Sequence, residues 1–234
     1  MRPAAVLFDM DGTLVDTERL WWNATATVAA DLGRTLTVDD EAEVTARPSA
    51  HTAAHLHATI PGADPAAEIA SRLDALFTAL VARDVVPRPG ALALLQLLAA
   101  EGIPTAIVSA SPRGVVELVR DVLGRDLFAV VVGDEDAPRS KPWPDPYLEA
   151  ARLLGVAATD CVAVEDSPVG IASAEAAGCP VVAVPSTAEL DAAPGRALLP
   201  SLEAVTLHTF ARLLADSRPL AEGARERHEW EHHA

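Results

Sequence analysis

AAVLFDMDGTLVDT, residues 4–17, decides how this chain is read. An unbroken apolar run is followed by two aspartates one residue apart, Asp9 and Asp11, and then by Gly12. A continuous apolar run fits a strand covered on both faces, whereas a strand with one wet face would alternate. Similar runs recur as PTAIVS (104–109), FAVVVG (128–133), CVAVED (161–166) and PVVAVP (180–185). Between them, segments 89–102, 112–124 and 145–155 show helical spacing and end in glycine, a stop signal for helices. Strand alternating with helix predicts an α/β fold: a doubly wound, Rossmann-like parallel sheet.

Residues 16–86 break the rhythm. Their apolar spacing predicts helices over 19–33, 38–46, 50–59 and 64–82 and no strand. The expected organisation is a core from 1–15 and 87–215 and an inserted all-helical domain from 16–86. Pro87 and Pro89 mark the return to the core, and a charged, loosely packed tail spans 216–234.

Composition narrows the function classes. Half of the 234 residues are hydrophobic and only 4% are aromatic, which predicts an aliphatic core. The net charge of −16 opposes binding to nucleic acid or anionic membranes. A phosphate ester would also be repelled, unless a local cation received it. Cys161 and Cys179 lie in apolar runs without metal-ligand spacing and read as buried free thiols. Asp9 and Asp11 interrupt any secretory apolar region, and no apolar run approaches the ~20 residues of a membrane span. A cytoplasmic monomer is expected. Of the 18 basic residues one is lysine, Lys141, and a compact point charge is what arginine cannot replace.

In open parallel sheets, ligands gather at the carboxyl ends of the strands. Asp9 and Asp11 follow the first apolar run, Ser109 ends the second, and Glu165 and Asp166 end the fourth. Asp134, Glu135 and Asp136 follow the third, with Lys141 a few residues on. Residues i and i+2 of an extended segment point the same way, so Asp9 and Asp11 would share a site unless Gly12 turns the second aside. Bare, they would repel. A divalent cation such as Mg²⁺ would relieve this, with Asp166 completing the oxygen ligands. Division of labour would also relieve it: one carboxylate attacks while the other exchanges a proton with the leaving group. Lys141 and the Ser109 hydroxyl could then meet the charge of a transferring phosphoryl group.

DMDGT (9–13), Ser109 within VSAS, Lys141 within SKPWPDP and EDS (165–167) resemble the four ordered motifs of the haloacid dehalogenase-like superfamily. The helical insertion resembles the small cap of its β-phosphoglucomutase-like subgroup. The resemblance implies a Mg²⁺-dependent phosphohydrolase acting on a small phosphorylated metabolite, a sugar or polyol phosphate, through an aspartyl-phosphate. Asp9 matches the nucleophile and Asp11 the general acid/base, whose backbone carbonyl joins the metal. Ser109 and Lys141 match the phosphate-holding residues, Asp166 a metal ligand and Glu165 an outer carboxylate of the metal site. The cap would hinge near 16–17 and 86–89.

Dehalogenases of the superfamily lack the second aspartate, and phosphonatases use a cap lysine, which is absent here. The mutases carry a cap pattern like K-G-x-x-R, whereas TARPS (45–49) offers only Arg47. Hydrolysis is therefore favoured over a sugar-phosphate mutase, and over a non-catalytic metal- or phosphate-binding regulator.

Glu18, Arg47, Ser111 and Arg113 are candidate substrate residues, with Ser111 alternatively capping the helix from Pro112. Trp21 and Trp22 read first as packing residues, and His51, His55 and His57 as a solvated face. Asp145 reads as a helix-start carboxylate. His228-Glu229-Trp230-Glu231-His232 matches H-E-x-x-H, but that chemistry needs a packed helix and a further zinc ligand.

Overall fold

The computed structural model describes residues 1–45, 47–186 and 189–217. Strand β1 (Ala5–Phe8) is followed by four helices, α1 (Glu18–Asp31), α2 (Glu41–Val44), α3 (Ser49–Thr59) and α4 (Ala66–Asp84). Then come α5 (Ala91–Ala100), β2 (Thr105–Val108), α6 (Arg113–Leu123), β3 (Val130–Val132), α7 (Asp145–Leu154) and β4 (Cys161–Glu165). The chain continues through α8 (Pro168–Ala176), β5 (Val181–Ala183), β6 (Arg196–Leu198) and α9 (Leu207–Ser217). The strands form one parallel sheet in the order β3-β2-β1-β4-β5-β6. β1 lies between β2 and β4, with Phe8 opposite Ile107 on one side and Val164 on the other.

Two cores explain the unbroken apolar runs. Val6, Phe8, Ile107, Val131, Val162, Val164 and Val182 point to one face and pack with residues of α5, α6 and α9. Their strand neighbours Ala5, Leu7, Ala106, Val108, Val132, Ala163 and Val181 point to the other, against α7 and α8. Alternate residues are thus buried on opposite sides, and the polar residues of the central strands, Thr105 and Glu165, stand at strand ends.

The helices after β1 have a small core of their own, from Val28, Ala29, Ala53, Leu56, Ile60, Ile69 and Leu73. Trp21 packs at its edge, with its ring perpendicular to Phe77 at 5.4 Å and its indole N–H donating to the Val44 carbonyl at 2.8 Å. The base of the insert belongs to the first sheet core: Leu20, Val81 and Val85 are buried there. The two connecting segments run side by side. Asp16 N–H donates to the Val86 carbonyl and Arg88 N–H to the Leu14 carbonyl.

The edge strand β6 was not expected from the sequence. It consists of Arg196, Ala197 and Leu198, too short and too mixed to show an apolar run. Expected helix 38–46 is a 3₁₀ turn, Val38–Asp40, leading into α2. Among the described residues, no helix is long and apolar enough to cross a membrane. Most of the expected tail, including the H-E-x-x-H match, lies outside the described residues.

Candidate active site

Each strand end delivers its polar residue to the same edge of the sheet. β1 ends in Asp9, whose N–H donates to the Val164 carbonyl at 2.9 Å, so pairing with β4 fixes where its side chain starts. Ser109 continues β2 and is fixed in the same way by Val132, at 2.9 Å. β4 carries Glu165 and is followed by Asp166.

Lys141 reaches into this edge, and its side chain is only 5% exposed. Its ammonium donates to Asp9 Oδ1 at 2.7 Å and to Glu165 Oε1 at 2.6 Å. Burial works against the charge on Lys141, but Asp9 and Glu165 outweigh it and raise its pKa, so the ammonium persists. This is the compact point charge that the lone lysine implied, held as an internal cation in an acidic protein.

Asp11 turns away from Lys141, as Gly12 allows. Asp11 Oδ1 accepts from Thr17 Oγ1 at 2.6 Å. Its Oδ2 accepts from Ser109 at 3.0 Å and from Ser111 at 2.8 Å. Burial, and then the neighbouring Asp9, raise the Asp11 pKa against these three hydroxyl donors. A carboxyl biased toward its acid form and held in place by three hydroxyls suits proton exchange. Gly12 has φ +87, and a Cβ there would lie 2.1 Å from Asp166 Oδ2, so no other residue fits this turn.

Asp9, Glu165 and Asp166 offer ligand oxygens within 4.8 Å of one another. Asp9 Oδ2 is buried and has no hydrogen-bond partner among the described residues, although a buried carboxylate oxygen normally has one. Asp166 accepts from the Ser186 hydroxyl, and burial together with Asp9 pushes its pKa up to about 8. All these donors are hard oxygens, so the residues present fit a divalent cation of the Mg²⁺ type.

The other candidates have different surroundings. Ser111 does not cap α6. That helix starts after Pro112 with no side-chain cap, and the Ser111 hydroxyl is occupied by Asp11. Arg113 is tied to the acidic turn 134–136: its N–H donates to Glu135 and its guanidinium pairs with Asp136 at 2.8 Å. Arg47 donates to the Ala42 carbonyl at 3.1 Å. Glu18 opens α1, one residue after Thr17. His51 faces Glu43, and His55 faces Asp40, which also pairs with Arg34. Asp145 receives Arg139 through both oxygens, at 3.1 and 2.8 Å.

Three hydroxyls at the site were not anticipated as partners: Thr17, Ser186 and Tyr147. Tyr147 is fully buried and donates to Glu165 Oε1 at 2.7 Å. It is the single tyrosine of the chain, in the same SKPWPDPY stretch as the single lysine, and that coincidence was the available signal.

Residues 3–178 match the family model for haloacid dehalogenase-like hydrolases. Hexitol phosphatase A of Escherichia coli (strain K12) is 37% identical over 197 residues, which cover 81% of this chain and 86% of that protein. A phosphoglycolate phosphatase of Rhodospirillum rubrum is 34% identical, covering 77% of this chain and 78% of its own. The crystal structure of CbbY from Rhodobacter sphaeroides in complex with phosphate is 28% identical, with a TM-score of 0.73 over 86% of this chain and 96% of that one. A β-phosphoglucomutase from Clostridium difficile shares the fold at 20% identity, with a TM-score of 0.72 over 91% of this chain and 97% of its own. With its four motifs carried on a parallel sheet and a run of helices set in after the first strand, the chain belongs to the haloacid dehalogenase-like hydrolases, as a phosphatase-type enzyme.

Proposed function

We propose that the protein hydrolyses the phosphate monoester of a small metabolite, a sugar or polyol phosphate, through a phosphoryl group carried on Asp9. The observation that carries this reading is the state of Asp9. One of its oxygens is ion-paired with Lys141, and the other is buried without a hydrogen-bond partner among the described residues. That combination supports reading Asp9 as an oriented nucleophile.

In this reading an Asp9 oxygen attacks phosphorus. The new O–P bond forms as the ester O–P bond breaks, and Asp11 gives its proton to the departing alkoxide. Water then attacks the same phosphorus, Asp11 takes its proton back, and the Asp9–phosphorus bond breaks to release phosphate. Lys141 and the Ser109 hydroxyl hold the phosphoryl oxygens, which requires Ser109 to exchange Asp11 for the substrate. Asp9, Asp166 and the Asp11 backbone carbonyl would hold Mg²⁺, which supplies neutralising charge for the phosphoryl group when bound. Glu165 stays behind Lys141 in an outer position. The helical insert serves as a cap that excludes water from the cleft. The relatives named for hexitol and phosphoglycolate phosphatase activity support a small substrate. A mutase would need cations for a second phosphate, and TARPS supplies only Arg47, which is engaged with Ala42.

The test is phosphate release from a panel of sugar, polyol and small-acid phosphates, with Mg²⁺ or EDTA, beside Asp9→Asn. Mg²⁺-dependent release that Asp9→Asn abolishes while keeping its fold supports the reading. Release that survives Asp9→Asn rules it out.

A further inference from the structure

Three carboxylates lie within 4.8 Å at one sheet edge, and two cations compete for them: the Lys141 ammonium and a divalent metal. Electrostatics alone does not decide which carboxylate serves which cation. Neutral donors can decide it, because a hydroxyl fixes the oxygen it touches without adding charge.

Glu165 is fully buried, and both its oxygens are engaged by the chain. Oε1 accepts from Lys141 at 2.6 Å and from Tyr147 at 2.7 Å. Oε2 faces the Asp166 N–H at 3.2 Å and the Ser167 hydroxyl at 3.3 Å. Helix α8 closes the remaining side: a Cβ on Gly170 would fall 1.9 Å from Oε1. The Tyr147 ring also lies 5.3 Å from the Lys141 nitrogen. Two donors on one oxygen from fixed directions leave the ammonium one place to sit. From there it reaches Asp9 at 2.7 Å and keeps a third N–H for an incoming phosphoryl oxygen. Asp166 has a different partner, because Ser186 donates to its Oδ2.

We infer that Tyr147 and Ser186 are positioning residues that divide the cluster. Tyr147 holds Glu165 so that Lys141 is aimed at Asp9 and the phosphoryl group, and Ser186 holds Asp166 for the metal. The inference rests on the phosphatase reading for its ligands and extends that reading to two residues outside the four motifs.

The experiment uses two binding probes and the whole chain. Inorganic phosphate is titrated by calorimetry at saturating Mg²⁺, and Mn²⁺ affinity is read by electron paramagnetic resonance. Tyr147→Phe keeps the ring and leaves Glu165 its ammonium, so the fold survives, and a thermal melt records this. Tyr147→Phe is expected to weaken phosphate about tenfold and leave Mn²⁺ within about twofold. Ser186→Ala is expected to weaken Mn²⁺ about tenfold and leave phosphate within about twofold. The inference is overturned if Tyr147→Phe binds phosphate like the wild type, or if either variant loses both probes equally. If the variants show this pattern and the wild type turns over no ester, the phosphatase reading alone falls.

Discussion

Thr17 donates its hydroxyl to Asp11 Oδ1 at 2.6 Å, so the residue that precedes the first helix of the insert also holds the carboxyl that faces Ser109 and Ser111. The relationship ties the position of the insert to the aim of Asp11. In Thr17→Val the shape stays and the donor goes. Turnover is expected to fall about three- to tenfold. Because the Thr17 hydroxyl lowers the Asp11 pKa, its loss should shift the alkaline limb of the pH–rate profile upward. Thr17→Ser should behave as wild type. An unmoved profile in Thr17→Val would separate the hydroxyl from proton transfer.

Asp11→Asn removes the transferable proton and keeps the backbone carbonyl. For an alkyl phosphate, kcat should fall about 10²- to 10⁴-fold. For 4-nitrophenyl phosphate, whose leaving group needs no proton, the loss in the first step should be much smaller. Equal losses in the first step for both esters, measured in a single turnover, would contradict a general acid at this position.

In EDTA, the Asp166 carboxyl, pushed up to about 8 from 3.8, keeps a proton in the folded chain that the unfolded chain releases. Stability in EDTA should therefore decline as pH rises through that window, by at most about 1.4 kcal/mol per pH unit from this group. Mg²⁺ competes with the same proton, so its stabilising effect should be larger at pH 8 than at pH 5. Calorimetric melts at the two pH values, with and without Mg²⁺, measure this. A Mg²⁺ effect that is equal or larger at pH 5 would remove Asp166 from the metal site.

Gly170→Ala tests the packing behind Lys141. The added methyl group would lie 1.9–2.1 Å from the Glu165 carboxylate, so either the helix or the carboxylate must move. A stability loss of about 1–3 kcal/mol in urea unfolding is expected, together with weaker phosphate binding. Unchanged urea midpoint and phosphate affinity would show that the carboxylate has room the structure does not display.

The sheet was legible because its central strands are buried on both faces, and a doubly buried strand cannot hide its apolar run. β6 was illegible for the converse reason: it lies at the edge, where Leu198 is 40% exposed and Arg196 can enter the strand. The gathering of Asp9, Ser109, Lys141 and Asp166 at one edge followed from parallel topology, since every strand end arrives on the same side. The hydroxyl partners did not follow. Ser111 read as a substrate residue or a helix cap, because capping is a local rule, and its bond to Asp11 spans 100 positions. Tyr147 packs in the second sheet core from α7. Its value to the site depends on Glu165 arriving from another strand, which no local pattern encodes.

The pairing of Lys141 with Asp9 spans 132 positions of chain, and it requires β1 to be seated between β2 and β4. Such a contact closes a long loop and can form only after segments distant in the sequence have met. During synthesis, Asp9 leaves the ribosome with the first strand and must wait for the segment after the third before its cation, Lys141, emerges. Neither metal nor phosphate can therefore assist the early collapse. Ligands of this site recognise the finished sheet, and their effect on refolding should be confined to the last kinetic step.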